Sequence, residues 1–185
     1  LRSTFLKTLM AGTILGVLAM TQVSLSAQGF DLVLNDAPVT VYFSPNGGAQ
    51  DAIVQAIDSA KQSIMVQEYE LTSPVIARAL VDASQRGVKV LVMVDKGQQT
   101  ERYSCINLLA RAGLDVFIDA QHKIAHTKMI VVDRETTLGG SYNLSRSAET
   151  GNSEDMIVIK SATLARIFQK NFEEHLSHSG RYVAR

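Results

Sequence analysis

Apolar residues recur along this chain at two alternating spacings, every second position in some stretches and every third or fourth in others. Val39–Phe43 sets Val39, Val41 and Phe43 on one face of a short strand, and Ser44-Pro45-Asn46-Gly47-Gly48 is a turn signal after it. Ala49–Lys61 carries Ile53, Val54, Ile57 and Ala60 at helical spacing, and Ser63–Tyr69 predicts a strand. Ser73 is placed to cap a second helix with Pro74 at its first position, running to Arg86 before Gly87 stops it. Val88–Val94 is apolar except for Lys89, the pattern of a strand covered on both faces. Thr100–Arg111 predicts a helix closed by Gly113. Leu114–Ile118, Lys128–Val132 and Asp155–Ile159 predict strands, and Ser161–Leu176 predicts a last amphipathic helix carrying Leu164, Ile167, Phe168 and Phe172.

Strands and helices alternating at this spacing imply an α/β fold, a mixed β-sheet flanked by helices. The expected domain runs over residues 28–185, without repeats or low-complexity tracts, and Arg181–Arg185 is expected to be a loose tail. A hydrophobic fraction of 46% and a charged fraction of 19% suit a soluble globular protein and exclude collagen, coiled coil and wholesale disorder.

Residues 1–27 read as an export signal. Arg2 and Lys7 make a positive start, Leu9 to Met20 is apolar and uncharged, and Thr21 to Ala27 is mostly small and polar. The polar positions Gln22, Ser24, Ser26 and Gln28 favour a cleaved signal over a retained membrane anchor, so a periplasmic or secreted protein is expected. Membrane contact is expected only if that segment is retained. Removing Arg2 and Lys7 from the 18 cations leaves 16 against 18 anions, so any polyanion-binding surface must be local. The one cysteine, Cys105, excludes an intramolecular disulfide and is expected to be a small buried hydrophobe.

The informative stretch is His126-Thr127-Lys128-Met129-Ile130-Val131-Val132-Asp133, followed after six residues by Gly140-Ser141-Tyr142-Asn143. Residues two apart on a strand share a face, so His126 and Lys128 project together at the head of an apolar strand. Lys128 offers a cation with three donors, and His126 an imidazole that can be neutral or protonated near neutral pH. Gly139 and Gly140 let the backbone turn closely, and Ser141 and Asn143 add neutral hydrogen-bonding groups. Such a set suits a phosphodiester. The anion needs donors, the phosphorus a nucleophile, and the leaving oxygen a proton.

The pattern resembles the His-x-Lys-x4-Asp-x6-Gly-Ser-x-Asn signature of the phospholipase D superfamily, and every position of it is present. At average residue usage such a match arises by chance in about a few chains per million of this length, which makes it a strong signal. Gly151-Asn152-Ser153-Glu154 and the element order from Val39 to Leu176 are similar to small, single-motif, secreted bacterial endonucleases of that superfamily. The resemblance implies a phospholipase D-like fold and metal-independent phosphodiesterase chemistry. His126 would form a phosphohistidine, Lys128 and Asn143 would bind nonbridging oxygens, and Ser141 would support the site by hydrogen bonding. Glu154 would accept from the other ring nitrogen of His126, while Asp133 belongs to the motif with structural pairing as its expected part. One motif per chain implies a homodimer, with two copies of His126 facing one phosphate.

Lys96, Lys123 and Arg146 flank strand ends or the motif and are candidates for a substrate groove, against the alternative of ordinary surface charge. Glu68 and Glu70 share a strand face, an arrangement open to a carboxylate pair for acid/base work, but the expectation is pairing with nearby cations such as Lys96 or Arg102. His122 and His126 are four apart and His175 and His178 three apart, spacings that would suit metal ligands on a helix. The first pair sits at a predicted strand entry, however, and the second spans a helix end. His122, His175 and His178 are expected to be solvent-exposed, with no metal or cofactor required. Gly139-Gly140-Ser141-Tyr142-Asn143 lacks the last glycine of a nucleophile elbow, which argues against a serine hydrolase. Nucleic acid is the expected substrate. Two rival readings stay open: a small phospholipase D acting on phospholipid head groups, and a membrane-tethered phosphate-binding protein without catalysis.

Overall fold

A computed structural model describes residue 30 and residues 32–184, and the predicted export signal lies outside these described residues. The sheet has eight strands: β1 (Val39–Ser44), β2 (Ser63–Glu68), β3 (Lys89–Asp95), β4 (Asp115–Asp119), β5 (Lys128–Val132), β6 (Thr136–Gly140), β7 (Glu154–Lys160) and β8 (Gly180–Arg181). Their spatial order is β1-β7-β6-β5-β2-β3-β4-β8. The β2–β3 and β3–β4 pairs are parallel and the others antiparallel, so the sheet is mixed, as the alternating pattern implied. Among the described residues five α-helices accompany it: α1 (Ala49–Ser59), α2 (Pro74–Gln85), α3 (Ile106–Arg111), α4 (Arg146–Thr150) and α5 (Ala162–Leu176).

Period-two alternation in the central strands feeds two cores, one on each face of the sheet. Ile64, Val66, Val92, Ile130 and Val132 pack with Ile53 and Ile57 of α1, Ile76 and Leu80 of α2, and Ile106 and Leu109 of α3. Met65, Met93, Met129 and Val131 point the other way, against Ala165 and Phe172 of α5. Phe172 is wholly buried, so Phe172→Ala would cost about 3–5 kcal/mol and loosen α5 from the sheet. Among the described residues no helix is long and apolar enough to cross a membrane.

The predicted start of α2 holds: Ser73 Oγ accepts from Ile76 N at 3.4 Å, and Pro74 is the first helical residue. The predicted Thr100–Arg111 helix is shorter, because side chains upstream capture backbone donors that a helix would need. Asp95 caps a 3₁₀ turn at Lys96–Gln99, Glu101 accepts from Tyr103 N, and Ser104 accepts from Ile106 N. Cys105 is buried at the N-cap of α3. The expected loose tail, Arg181–Arg185, is corrected at its first two residues. Gly180 and Arg181 pair with β4, Tyr182 N donates to Val116 O at 2.8 Å, and Arg181 forms an ion pair with Asp115.

Candidate active site

Strand β5 lies between β2 and β6, and its apolar residues Met129 to Val132 are all buried. Lys128 is the polar head of that strand, in register with Glu68 at the end of β2. The chain stays paired one residue further out, where Tyr69 N donates to Thr127 O at 3.0 Å. That extension brings the His126 side chain back over Lys128. The ammonium Nζ lies 3.2 Å from His126 Nδ1, 3.1 Å from Nε2 and 3.1 Å from the His126 carbonyl oxygen. The Tyr69 ring closes the other side, with its centroid 4.6 Å from the imidazole and 5.0 Å from Nζ. His126 is exposed and Lys128 half-buried, so the pair faces solvent while its strand is anchored in the core.

Strands β6 and β7 supply the second arm at the same end of the sheet, since Met129 pairs with Gly139 and Gly140 with Met156. A Cβ on Gly140 would collide with the Asp155 carbonyl oxygen, so the close approach requires glycine there. That carbonyl accepts from both Ser141 N and Tyr142 N, at 3.1 and 3.2 Å. Ser141 Oγ donates to Glu154 Oε2 at 2.6 Å and accepts from Asp155 N at 3.1 Å, while Asn152 Nδ2 donates to Glu154 Oε1 at 3.0 Å. Tyr142 is buried and donates to Glu149 Oε2 at 2.8 Å, locking the motif loop onto α4. The Asn143 carboxamide oxygen is buried without a hydrogen-bond partner.

Electrostatics set this end of the sheet apart. Glu68 is only 2% exposed. Burial pushes its carboxyl well above the ordinary range, against backbone donors from Glu70 and Tyr69 and the nearby charge of Lys128. Its Oε1 accepts from Tyr69 N at 3.0 Å, while Oε2 is buried with no partner. Burial also lowers the Lys128 ammonium, opposed by the charges of Glu68, Glu154 and Glu70. The expected pairing of Glu68 and Glu70 with Lys96 or Arg102 is therefore corrected. Glu68 faces Lys128, Glu70 accepts from Thr72 Oγ1, and Lys96 Nζ donates to the His122 carbonyl. Glu68 and Tyr69 are residues of the site that the motif did not reveal. The acidic Glu68-Tyr69-Glu70 segment ending an apolar strand was their one signal.

The remaining sequence candidates fall in three places. Lys123 is exposed in the segment leading to His126, and Arg146 is exposed in the first turn of α4 after Asn143. A groove beside Tyr69 is lined by Glu70, Asp95, Gln98 and Glu101, so it is acidic rather than basic. Asp133 is not brought to the site. It lies beyond the opposite end of β5, and its carboxylate accepts from the backbone N–H groups of Lys61, Gln62 and Ser63 at 2.8, 2.7 and 2.9 Å. Within this chain Glu154 bonds Ser141 and Asn152, and among the described residues it makes no hydrogen bond to His126.

The histidine expectation holds for His122, which is exposed, and is corrected for His175 and His178, which are partly buried; all three gather around the buried Asp119 carboxylate. Burial would raise Asp119, but hydrogen bonds from His175 and His122 outweigh it and hold the carboxyl down at about 2.

An exposed imidazole, an adjacent ammonium and a hydroxyl–carboxylate pair can bind a phosphoryl group, attack it and move protons. Residues 53–176 match the family described as cardiolipin synthase, PLD-like domain. The chain is 33% identical over 147 residues to a phospholipase D of Rickettsia bellii, covering 80% of this chain and 73% of that protein. It is 30% identical over 121 residues to the mitochondrial cardiolipin hydrolase of Mus musculus, covering 65% of this chain and 55% of the relative. The crystal structure of Nuc, a phospholipase D family member from Salmonella typhimurium, is similar with a TM-score of 0.78. It is 37% identical, over 80% of this chain and 100% of that one.

Proposed function

This chain belongs to the phospholipase D-like family and is a phosphodiesterase of that type, and on that footing we propose that it is an exported, metal-independent nuclease acting through a phosphohistidine in a homodimeric site. The observation that carries the reading is the Lys128 ammonium within 3.2 Å of both ring nitrogens of an exposed His126. The cation holds a nonbridging phosphate oxygen while the imidazole faces phosphorus.

In the first step a His126 nitrogen forms a bond to phosphorus and the P–O bond to the leaving oxygen breaks. The partner subunit's His126, protonated, gives that oxygen its proton. In the second step the partner subunit's His126 takes a proton from water. The water oxygen bonds to phosphorus, and the P–N bond breaks to restore His126. Ser141 and Glu154 steady the second arm, and Lys128 and Asn143 hold the anion. Coupled titration of the two imidazoles predicts a bell-shaped pH–rate profile.

An exposed apolar stripe on β1 supports a second copy: Val39, Val41 and Phe43 are 52%, 47% and 65% exposed. The stripe ends beside Ser44, which pairs with Glu154 across β1 and β7, so a copy covering it would sit next to the site. The names of the Rickettsia and mouse relatives favour a second reading, hydrolysis of phospholipid head groups.

The test is a substrate panel. Plasmid DNA, RNA, phosphatidylcholine and cardiolipin are incubated in excess chelator with the protein or with His126→Ala. Cleavage of nucleic acid that needs His126 and survives chelator is the expected result. Cleavage of lipid alone would replace the substrate, and activity in His126→Ala would remove the nucleophile.

A further inference from the structure

We propose that Asp119, His122, His175 and His178 form a binding site for a zinc-class divalent metal ion, separate from the His126 chemistry and independent of the function proposed above. One donor atom from each of the four residues lies within 4.8 Å of all the others. Four ligands around a tetrahedral zinc ion stand about 3.3 Å apart, given metal–nitrogen bonds of about 2.0–2.1 Å. Asp119 Oδ2 lies 2.9 Å from His122 Nδ1, 2.9 Å from His175 Nδ1 and 3.6 Å from His178 Nε2, a set that straddles that spacing.

Hydrogen bonding alone leaves this cluster unfinished. Three imidazoles converge on one carboxylate oxygen, with ring centroids 4.8, 5.3 and 5.3 Å apart. His178 Nε2 is buried and has no hydrogen-bond partner, although it points at the same oxygen as the other two rings. A buried ring nitrogen left unpaired is unfavourable. A metal ion would take a lone pair from each of the three rings and from the carboxylate. The donor set, three nitrogens and one oxygen, suits zinc, whereas calcium and magnesium require oxygen ligands.

The surroundings orient the donors as a ligand set needs. The Asp119 side chain is 0% exposed; its Oδ1 accepts from Gln121 N at 3.1 Å and lies 3.1 Å from His122 Nδ1, while Oδ2 faces all three rings. Ser179 Oγ donates to the His175 carbonyl at 2.8 Å, and Lys96 Nζ donates to the His122 carbonyl at 2.8 Å. His122, with 43% of its side chain exposed, gives an ion its way in.

Four protein ligands close the coordination shell, which marks a structural ion rather than a catalytic one. Such an ion would fasten the C-terminal end of α5 to the end of β4 and to the segment that runs from His122 to His126. Strand β4 is three positions from β5 in the sheet, so the ion would sit roughly 14 Å along the sheet from the strand headed by Lys128.

The experiment uses protein purified without a histidine tag, stripped with chelator and dialysed. Zinc(II) is titrated against a chromophoric chelator, and cobalt(II) is added to a second sample. The expected result is one ion per chain, a visible cobalt spectrum of tetrahedral intensity, and a melting temperature that rises with zinc. His175→Ala and His178→Ala weaken zinc binding by about tenfold or more, while His126→Ala binds as the wild type does. Should those helix-end variants fail to fold, His122→Ala carries the test, because its ring is on an exposed segment. Absence of binding at micromolar zinc, or equal binding by a folded His122→Ala, would overturn the proposal. Loss of the site in His126→Ala would move it to the phosphodiesterase centre and overturn it too.

Discussion

The two ends of strand β5 come from one run of sequence and are built in opposite ways. At the Lys128 end, polar groups are left with capacity to spare. His126 is exposed, Glu68 Oε2 and Asn143 Oδ1 are buried without partners, and Lys128 is half-buried beside a carboxyl it does not neutralise. At the Asp133 end every carboxylate oxygen is used, taking three backbone donors from the turn between α1 and β2. Asp133 and Arg134 both adopt positive φ, 52° and 60°, and Glu135 N closes the turn onto Val132 O at 3.0 Å. One motif thus places unfinished hydrogen bonding where a ligand must arrive and complete hydrogen bonding where the fold must hold. Binding sites trade local stability for function in this way.

The sharpest way to break this contrast is at its proposed catalytic end. On the phosphohistidine reading, His126→Ala should lower turnover by at least about 10³-fold, while the melting temperature stays within about 1 °C. Single-turnover assays and a thermal melt read both. At the other end the effect should reverse. Asp133→Ala removes three charge-assisted bonds and should cost about 2 kcal/mol, or about 4–8 °C in Tm, with activity kept at temperatures where the variant is folded. Backbone donors from Ser63, Gln62 and Lys61 outweigh burial and hold the Asp133 carboxyl below its ordinary range. Its contribution is therefore present above the ordinary aspartate pKa and lost as pH falls through the lowered folded value, a limb the variant should lack.

Smaller effects sharpen the picture between these extremes. Ser141→Ala should reduce activity about tenfold by freeing Glu154, with little change in melting. Glu68→Gln tests the buried carboxyl. Because burial raises its folded pKa, wild-type stability is full below the ordinary glutamate pKa and declines as pH climbs toward the raised value. The variant should lose less stability than the wild type as pH rises above the ordinary glutamate pKa, and equal slopes over that window would count against the assignment.

Much of this architecture is legible in the order of residues alone. Short, nearly continuous apolar runs place β2, β3 and β5, and Ser73-Pro74 places α2, because each is a local signal. Other elements carry no such signal. β6, Thr136–Gly140, ends in two glycines and is a strand because β5 and β7 bracket it; α4 is five residues long. His126 and Lys128 are found from their spacing. The Asp119 cluster is not, since His175 comes from a helix end 56 residues after Asp119 and only the sheet brings them together. Glu68 is visible as an acidic residue at a strand end, but its neighbour is not: the register sets it opposite Lys128.

The central claim is that two copies of His126 act on one phosphorus. The direct measurement is activity of dimers reassembled from wild-type and His126→Ala subunits in varied ratio at fixed total concentration. Activity falling as the square of the wild-type fraction is the prediction, since only fully wild-type pairs hold both imidazoles. A straight-line fall would mean that each subunit works alone and would contradict the account.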